Sequence, residues 1–143
     1  QGVDYSGTGP ILALGSGTIL NTLSKGWPGG TFIALQLDSG PAKDKIVFVA
    51  ENCKPIHVKI GDHVTAGQPL CELINQSPNL EIGWASTPNG GAMASGCIGG
   101  DHNNPSAFGI NFSDLIVKLG GKPGIMRTQN IKCTLPAGWP TWK

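Results

Sequence analysis

The sequence predicts an all-β domain with one short helix late in the chain. Three observations carry that expectation. Glycine and proline are dense, 22 and 11 of 143 residues, which calls for many turns and short strands. The apolar residues come in short runs bounded by turn residues, with alternating or β-branched patterns. Only one stretch, 111–121, places its apolar residues at helical spacing.

The elements follow in order. "PILALGSGTIL" at 10–20 reads as two short strands around a Gly-Ser-Gly turn, and "GWPGG" at 26–30 as a turn or loop. "TFIALQL" at 31–37 sets Phe32, Ala34 and Gln36 against Ile33, Leu35 and Leu37, a core strand. "SGPAKDK" at 39–45 is a polar hairpin loop, and "IVFVA" at 46–50 a buried β-branched strand. In 56–60, His57 and Lys59 alternate with Ile56, Val58 and Ile60, which predicts a strand with one wet face. Turns at Gly61-Asp62 and Ala66-Gly67-Gln68 flank Val64, and "LCELI" is a further strand. In "NLEIGWA" at 79–85, Asn79, Glu81 and Gly83 share one face, and Leu80, Ile82 and Trp84 the other. Residues 88–109 form a long Gly/Asn-rich loop. In the helix, Phe112, Leu115, Ile116 and Leu119 make the apolar stripe, Asn111 or Ser113 caps the start, and Gly120 or Gly121 the end. The tail from 133 is extended. No solenoid repeat is present.

The length fits one domain, residues 1–143, with a core in 2–86 and a C-terminal loop, helix and tail in 87–143. Charged residues make up only 13%, and ten Lys and Arg against nine Asp and Glu give a net charge of +1. That balance offers no electrostatic case for nucleic acid. No apolar run approaches the ~20 residues of a membrane span. The chain starts at Gln1 without Met, which suggests that an upstream signal segment is removed. Cys53, Cys71, Cys97 and Cys133 contain no Cys-x-x-Cys pair, which argues against a structural zinc site. An even count in a Gly-rich, weakly charged chain favours two disulfides and a secreted, extracellular location. Three pairings are open; Cys53–Cys71 with Cys97–Cys133 is preferred because each closes a local loop.

Several chemistries find no support. No serine stands in a Gly-x-Ser-x-Gly elbow, and no Lys-Ser/Thr follows the short Gly-rich turns. His57, His63 and His102 read as exposed polar residues without partners at ligand spacing, apart from Asp101 beside His102. Trp84 faces the core. Trp27, Trp139 and Trp142 are candidates for aromatic contacts with a sugar or protein partner, set against a role in covering the edge of the core.

Taken in order, "GVDYSG" at 2–7, "PILALGSGTIL", "IVFVAENC", "IHVKIGDHVTAGQPL" and "PNLEIGWA" resemble segments of the lysostaphin-like family of zinc metallopeptidases, which cut peptide cross-bridges in bacterial peptidoglycan. "NFSDLIVKLG" resembles a helical addition after the barrel in secreted relatives. The Gly-x-x-Val-x-x-Gly turn also occurs in biotinyl and lipoyl carriers, but no lysine sits at a hairpin tip here. The resemblance implies a barrel-sandwich hybrid, the duplicated hybrid motif of the lysostaphin-like fold. It also implies a zinc site made by a His two residues before the Gly of "GVD", by the Asp, and by the second His of a His-x-His strand, with two further histidines beside the catalytic water.

Of that set only Asp4 matches. The first His would precede Gln1. Glu51 stands at the histidine that ends the family's Ala-His strand, and Asn79 and Glu81 stand at the two positions of His-x-His. Zinc chemistry needs an open tetrahedral site that lowers the pKa of a bound water, and these substitutions remove the imidazoles it uses. The expectation is therefore a pseudo-peptidase with no catalytic residues and no zinc. Its remnant groove of Asp4, Glu51, Asn79 and Glu81 would bind a ligand or a hard cation. Calcium suits four oxygen donors better than zinc, and if any metal binds, Asp4 and Glu81 hold it. Without a cation, close carboxylates repel and one keeps its proton. The expected role is a secreted binding or structural module at a cell surface or in an extracellular assembly, its partner a cell-wall component, a protein or a second copy. An active zinc endopeptidase and a cell-wall carbohydrate-binding module are the alternatives.

Overall fold

The structure, a computed structural model, describes residues 2–75, 80–92, 106–125 and 134–142. Among them the strands are β1 (Val3–Tyr5), β2 (Gly9–Leu12), β3 (Gly17–Leu23), β4 (Thr31–Leu37), β5 (Ile46–Glu51), β6 (Cys53–Ile56), β7 (His63–Val64), β8 (Pro69–Leu73), β9 (Leu80–Thr87) and β10 (Gly91–Ala92). A single helix, α1 (Ala107–Lys118), follows. The strands form two antiparallel sheets: a large one in the order β1-β9-β5-β4-β3-β7, with β10 also on β9, and a small one in the order β2-β8-β6.

The large sheet is buried on both faces, which is why its central strands are apolar on both sides of the pleat. Its inner face presents Ile33, Leu35, Val47, Val49, Leu80, Ile82 and Trp84 to Leu70 and Leu73 of the small sheet and to Phe108, Phe112 and Leu115 of α1. Its outer face holds Phe32, Ala34, Phe48, Ala50 and Ala85, with Trp27 and Leu20 packed against them. The Phe32 and Phe48 rings stack at 5.3 Å. Gly83 lies opposite Phe48. A Cβ there would stand 3.0 Å from the Phe48 ring and 3.1 Å from the Gly2 Cα, so only glycine lets β1 and Phe48 close on this strand. A disulfide joins Cys53 to Cys71 across the β6–β8 pair. Cys97 and Cys133 lie outside the described residues, so the second pairing is not addressed. Between the sheets, near the β1–β2 loop, opens an apolar cavity of about 510 Å³ lined by Ile11, Leu35, Leu70, Leu80 and Ile116 among others.

Two elements differ from the sequence reading. The strand expected over 56–60 is displaced to Cys53–Ile56. Beyond it Val58 alone is buried, and Ile60 is 62% exposed. His57 N–H still pairs with the Leu70 carbonyl, so the alternation there reflects one inward residue and not a ladder. The helix begins at Ala107, before the expected caps. Its cap is Ser106, whose hydroxyl accepts from Gly109 N–H at 3.0 Å. Asn111 and Ser113 are buried interior residues, and Asn111 is engaged by side chains from elsewhere. The helix ends as expected, with Gly120 at φ 89°.

Candidate functional site

Asp4 and Glu81 are direct cross-strand partners in the β1–β9 pair, and on the other side of β9 the partner of Glu81 is Ala50. Directly opposed residues point to the same face of a sheet, so both carboxylates stand on the outer face. Their positions follow from the alternation that sends Val3, Leu80 and Ile82 to the core.

Glu51 joins them by a different device. Strict alternation after Ala50 would turn it toward the inner face. Its φ is instead 81°, a left-handed conformation that side chains rarely adopt and that is held only where the surroundings impose it. The "GWPGG" turn is that surrounding: Thr31, which follows it, pairs with Glu51, and a Cβ on Gly29 would stand 2.9 Å from the Glu51 carbonyl oxygen. Trp27 fastens the turn, packing on Phe32 and Phe48 and donating its indole N–H to the Gly90 carbonyl at 3.0 Å.

Glu51 is only 8% exposed. Burial first, then the nearby charges of Glu81 and Asp4, push its carboxyl up to about 7. Glu81 is also raised, chiefly by burial, with the charge of the N-terminal amine and then the Gly2 N–H, through a 2.7 Å hydrogen bond to Oε1, working the other way. Glu51 therefore senses the charges of Glu81 and Asp4. Asn79, the fourth member of the expected groove, lies outside the described residues. The Asp4 backbone is held at the sheet edge by a two-way hydrogen-bonded bridge to Ile125, a contact that no local sequence signal announces.

The donors brought together are all carboxylate oxygens. His57 pairs with Glu72 at 3.0 Å and His63 with Asp38 at 2.7 Å, both on exposed surface, and His102 lies outside the described residues. Among the described residues no group of three His, Cys, Asp or Glu is arranged to hold a metal ion. A zinc centre of the lysostaphin type takes imidazole nitrogens, and the described donor set does not fit it.

Trp27, Trp139 and Trp142 are all half-buried. The indole N–H groups of Trp139 and Trp142 both donate to Asn111 Oδ1, and Lys45 Nζ lies 4.7 Å over the Trp139 ring. These rings take part in packing the turn and the tail.

No protein-family model and no curated protein matches the chain. Solved structures do. A single-residue mutant of the catalytic domain of the prophage-encoded M23 protein EnpA from Enterococcus faecalis aligns over 63% of this chain and 71% of its own, at 23% identity and a TM-score of 0.50. The catalytic domain of the antimicrobial peptidase lysostaphin from Staphylococcus simulans aligns over 57% of this chain and 62% of its own, at 24% identity and a TM-score of 0.47. The chain has the lysostaphin-like M23 fold, mostly antiparallel strands with one short C-terminal helix.

Proposed function

We propose that this domain is a non-catalytic lysostaphin-like module that binds at a bacterial cell surface through the groove where its fold relatives carry out peptide cleavage. One observation carries the reading: Asp4, Glu51 and Glu81, the residues that the sequence resemblance sets at zinc and catalytic positions of the family, lie close enough for the charges of Asp4 and Glu81 to act on Glu51. A Glu51 carboxyl pushed up to about 7 beside two further acids offers neither the nitrogen ligands nor the neutral-pH imidazole that the hydrolytic reaction uses. The arrangement suits recognition of a positively charged or hydrogen-bond-donating group.

A secreted location accords with the Cys53–Cys71 disulfide, since such bonds persist in oxidising compartments. No helix among the described residues is long and apolar enough to cross a membrane. The deciding experiment pairs metal analysis of the purified protein with a pull-down on purified peptidoglycan and a cleavage assay on wall peptides. Retention on peptidoglycan without stoichiometric zinc and without cleavage is the expected result. Zinc at one per chain together with cleavage would establish the endopeptidase instead. Retention by glycan strands stripped of peptide would favour a carbohydrate-binding module.

A further inference from the structure

We infer that the apolar cavity between the two sheets binds the single hydrocarbon chain of a neutral amphiphile, with the hydroxyl-bearing head of that molecule at the β1–β2 loop. The site is separate from the carboxylates. Leu80 and Ile82 line the cavity from the inner face of β9, whereas Asp4 and Glu81 stand on the outer face. It therefore holds or fails independently of the proposed wall binding.

Size is the first observation. Protein interiors pack so that few voids exceed a water molecule, and a cavity of about 150 Å³ already takes up benzene. The space between the sheets measures about 510 Å³, within the roughly 300–1,000 Å³ of small-molecule sites. Access is the second. The floor is buried, with Leu35 and Leu70 at 1% exposure and Val47 at 3%. The rim reaches solvent through Ser6, Thr8, Pro10 and Leu12. Leu12 is 46% exposed, so an apolar side chain stands at the mouth of an apolar interior. An entering chain meets continuous apolar surface from rim to floor.

The lining selects the chemistry. Its polar side chains are Tyr5, Ser6 and Thr8, all from one segment, and among the described residues no Asp, Glu, Lys, Arg or His lines it. A charged head would lose hydration there without a charged partner, which is costly. A hydroxyl finds matching groups at the mouth. The Tyr5 hydroxyl donates to the Lys122 carbonyl at 3.0 Å, which leaves its oxygen to accept from the ligand, and the Ser6 and Thr8 hydroxyls both donate and accept. The walls are aliphatic: Leu70 and Leu73 from the small sheet, Val47 and Val49 from the large one, and Ile116 from α1. No Phe or Trp of the described residues lines the cavity, so it offers a planar ring little to stack on. Aliphatic walls with hydroxyls at one end match an alkyl chain with a neutral head.

The test is calorimetric titration of the whole chain with the straight-chain primary alcohols butanol, hexanol, octanol and decanol, each below its solubility limit. The inference expects one molecule per chain, with affinity rising about fourfold for each added methylene until the cavity is full. Decanoate and naphthol should bind about tenfold more weakly than decanol, the first for its charge and the second for its ring. Decanol should also raise the melting midpoint, because it binds the folded chain alone. Two variants place the ligand. Val49→Phe fills the floor and Ile11→Trp obstructs the half-buried rim. Each should weaken decanol binding by about tenfold or more, with urea melts confirming that they fold. The length series is read on the unaltered chain, so it decides even where a variant fails to fold. No binding, affinity indifferent to chain length, several molecules per chain, or undiminished binding by the folded variants would each overturn the inference. Decanoate or naphthol binding as tightly as decanol would overturn it too. Peptidoglycan retention in the absence of alcohol binding would sink this site and leave wall binding intact; alcohol binding by a domain that peptidoglycan does not retain would do the reverse.

Discussion

Asn111 and Glu51 are both buried polar side chains packed around β9, and the protein treats them in opposite ways. Asn111, 4% exposed, sits behind the inner face. Its Oδ1 accepts from three indoles, Trp84 at 2.9 Å, Trp139 at 3.2 Å and Trp142 at 3.3 Å, and its Nδ2 donates to the Pro140 carbonyl at 2.8 Å. One amide thus ties the large sheet, α1 and the C-terminal tail together. Glu51, on the other side of the sheet, has neighbours that repel it and no hydrogen bond among the described residues. A polar group with every bond satisfied stabilises a unique packing; one held among like charges costs stability.

The largest effect that would break this contrast lies at Asn111. Asn111→Ala leaves three indole N–H groups and a carbonyl without their partner, and should cost about 4 kcal/mol, read as the shift of a urea midpoint. A loss below about 1 kcal/mol would mean that water or relaxation replaces the hub.

Next comes the pH dependence of Glu51. The folded carboxyl titrates near 7, against 4.5 for an ordinary glutamate. Below pH 4.5 both folded and unfolded chains hold the proton and no penalty arises. As pH rises from 4.5 through 7, the unfolded chain gives up its proton first, and the domain loses up to about 3 kcal/mol. Glu51→Gln should flatten that slope and be the more stable protein at pH 8. Parallel stability–pH curves for the two proteins would show that Glu51 is paired after all.

Gly83→Ala should cost about 2 kcal/mol through overpacking of the Phe48 ring, measured by thermal melting. It should also disturb Asp4, because Gly2 is driven from Glu81. The smallest effect belongs to the exposed His63–Asp38 pair: Asp38→Asn should leave the melting midpoint unchanged within error, because solvent screens the pair.

Much of the fold was legible because alternation is a local signal. Phe32 and Ala34 against Ile33 and Leu35 predicted both faces of β4, and Leu80, Ile82 and Trp84 predicted the inward face of β9. The outward side of Glu81 was legible by the same alternation, whereas Asp4 and Glu51 were named only through the resemblance. The conformation of Glu51 was not legible, because it is imposed by Gly29 from another strand's turn. The role of Asn111 was hidden for a similar reason. At the start of an apolar helical stripe an asparagine reads as a cap, and only the tail folding back shows its amide to be a hub. The displaced strand at 56–60 shows the converse failure, a regular pattern whose pairing with β8 does not continue past His57.

The bridge between Asp4 and Ile125 bears on how this chain is made. The first strand finds its pairing partner only when β9 exists, and its outer edge only when the polypeptide has passed the helix; the tail must then still close over Asn111. Contacts so distant in sequence are slow to form. A ribosome must release nearly the whole domain before its beginning can be locked, so the nascent chain stays open through most of its synthesis. Truncation at the C-terminal end is therefore expected to unravel the N-terminal one.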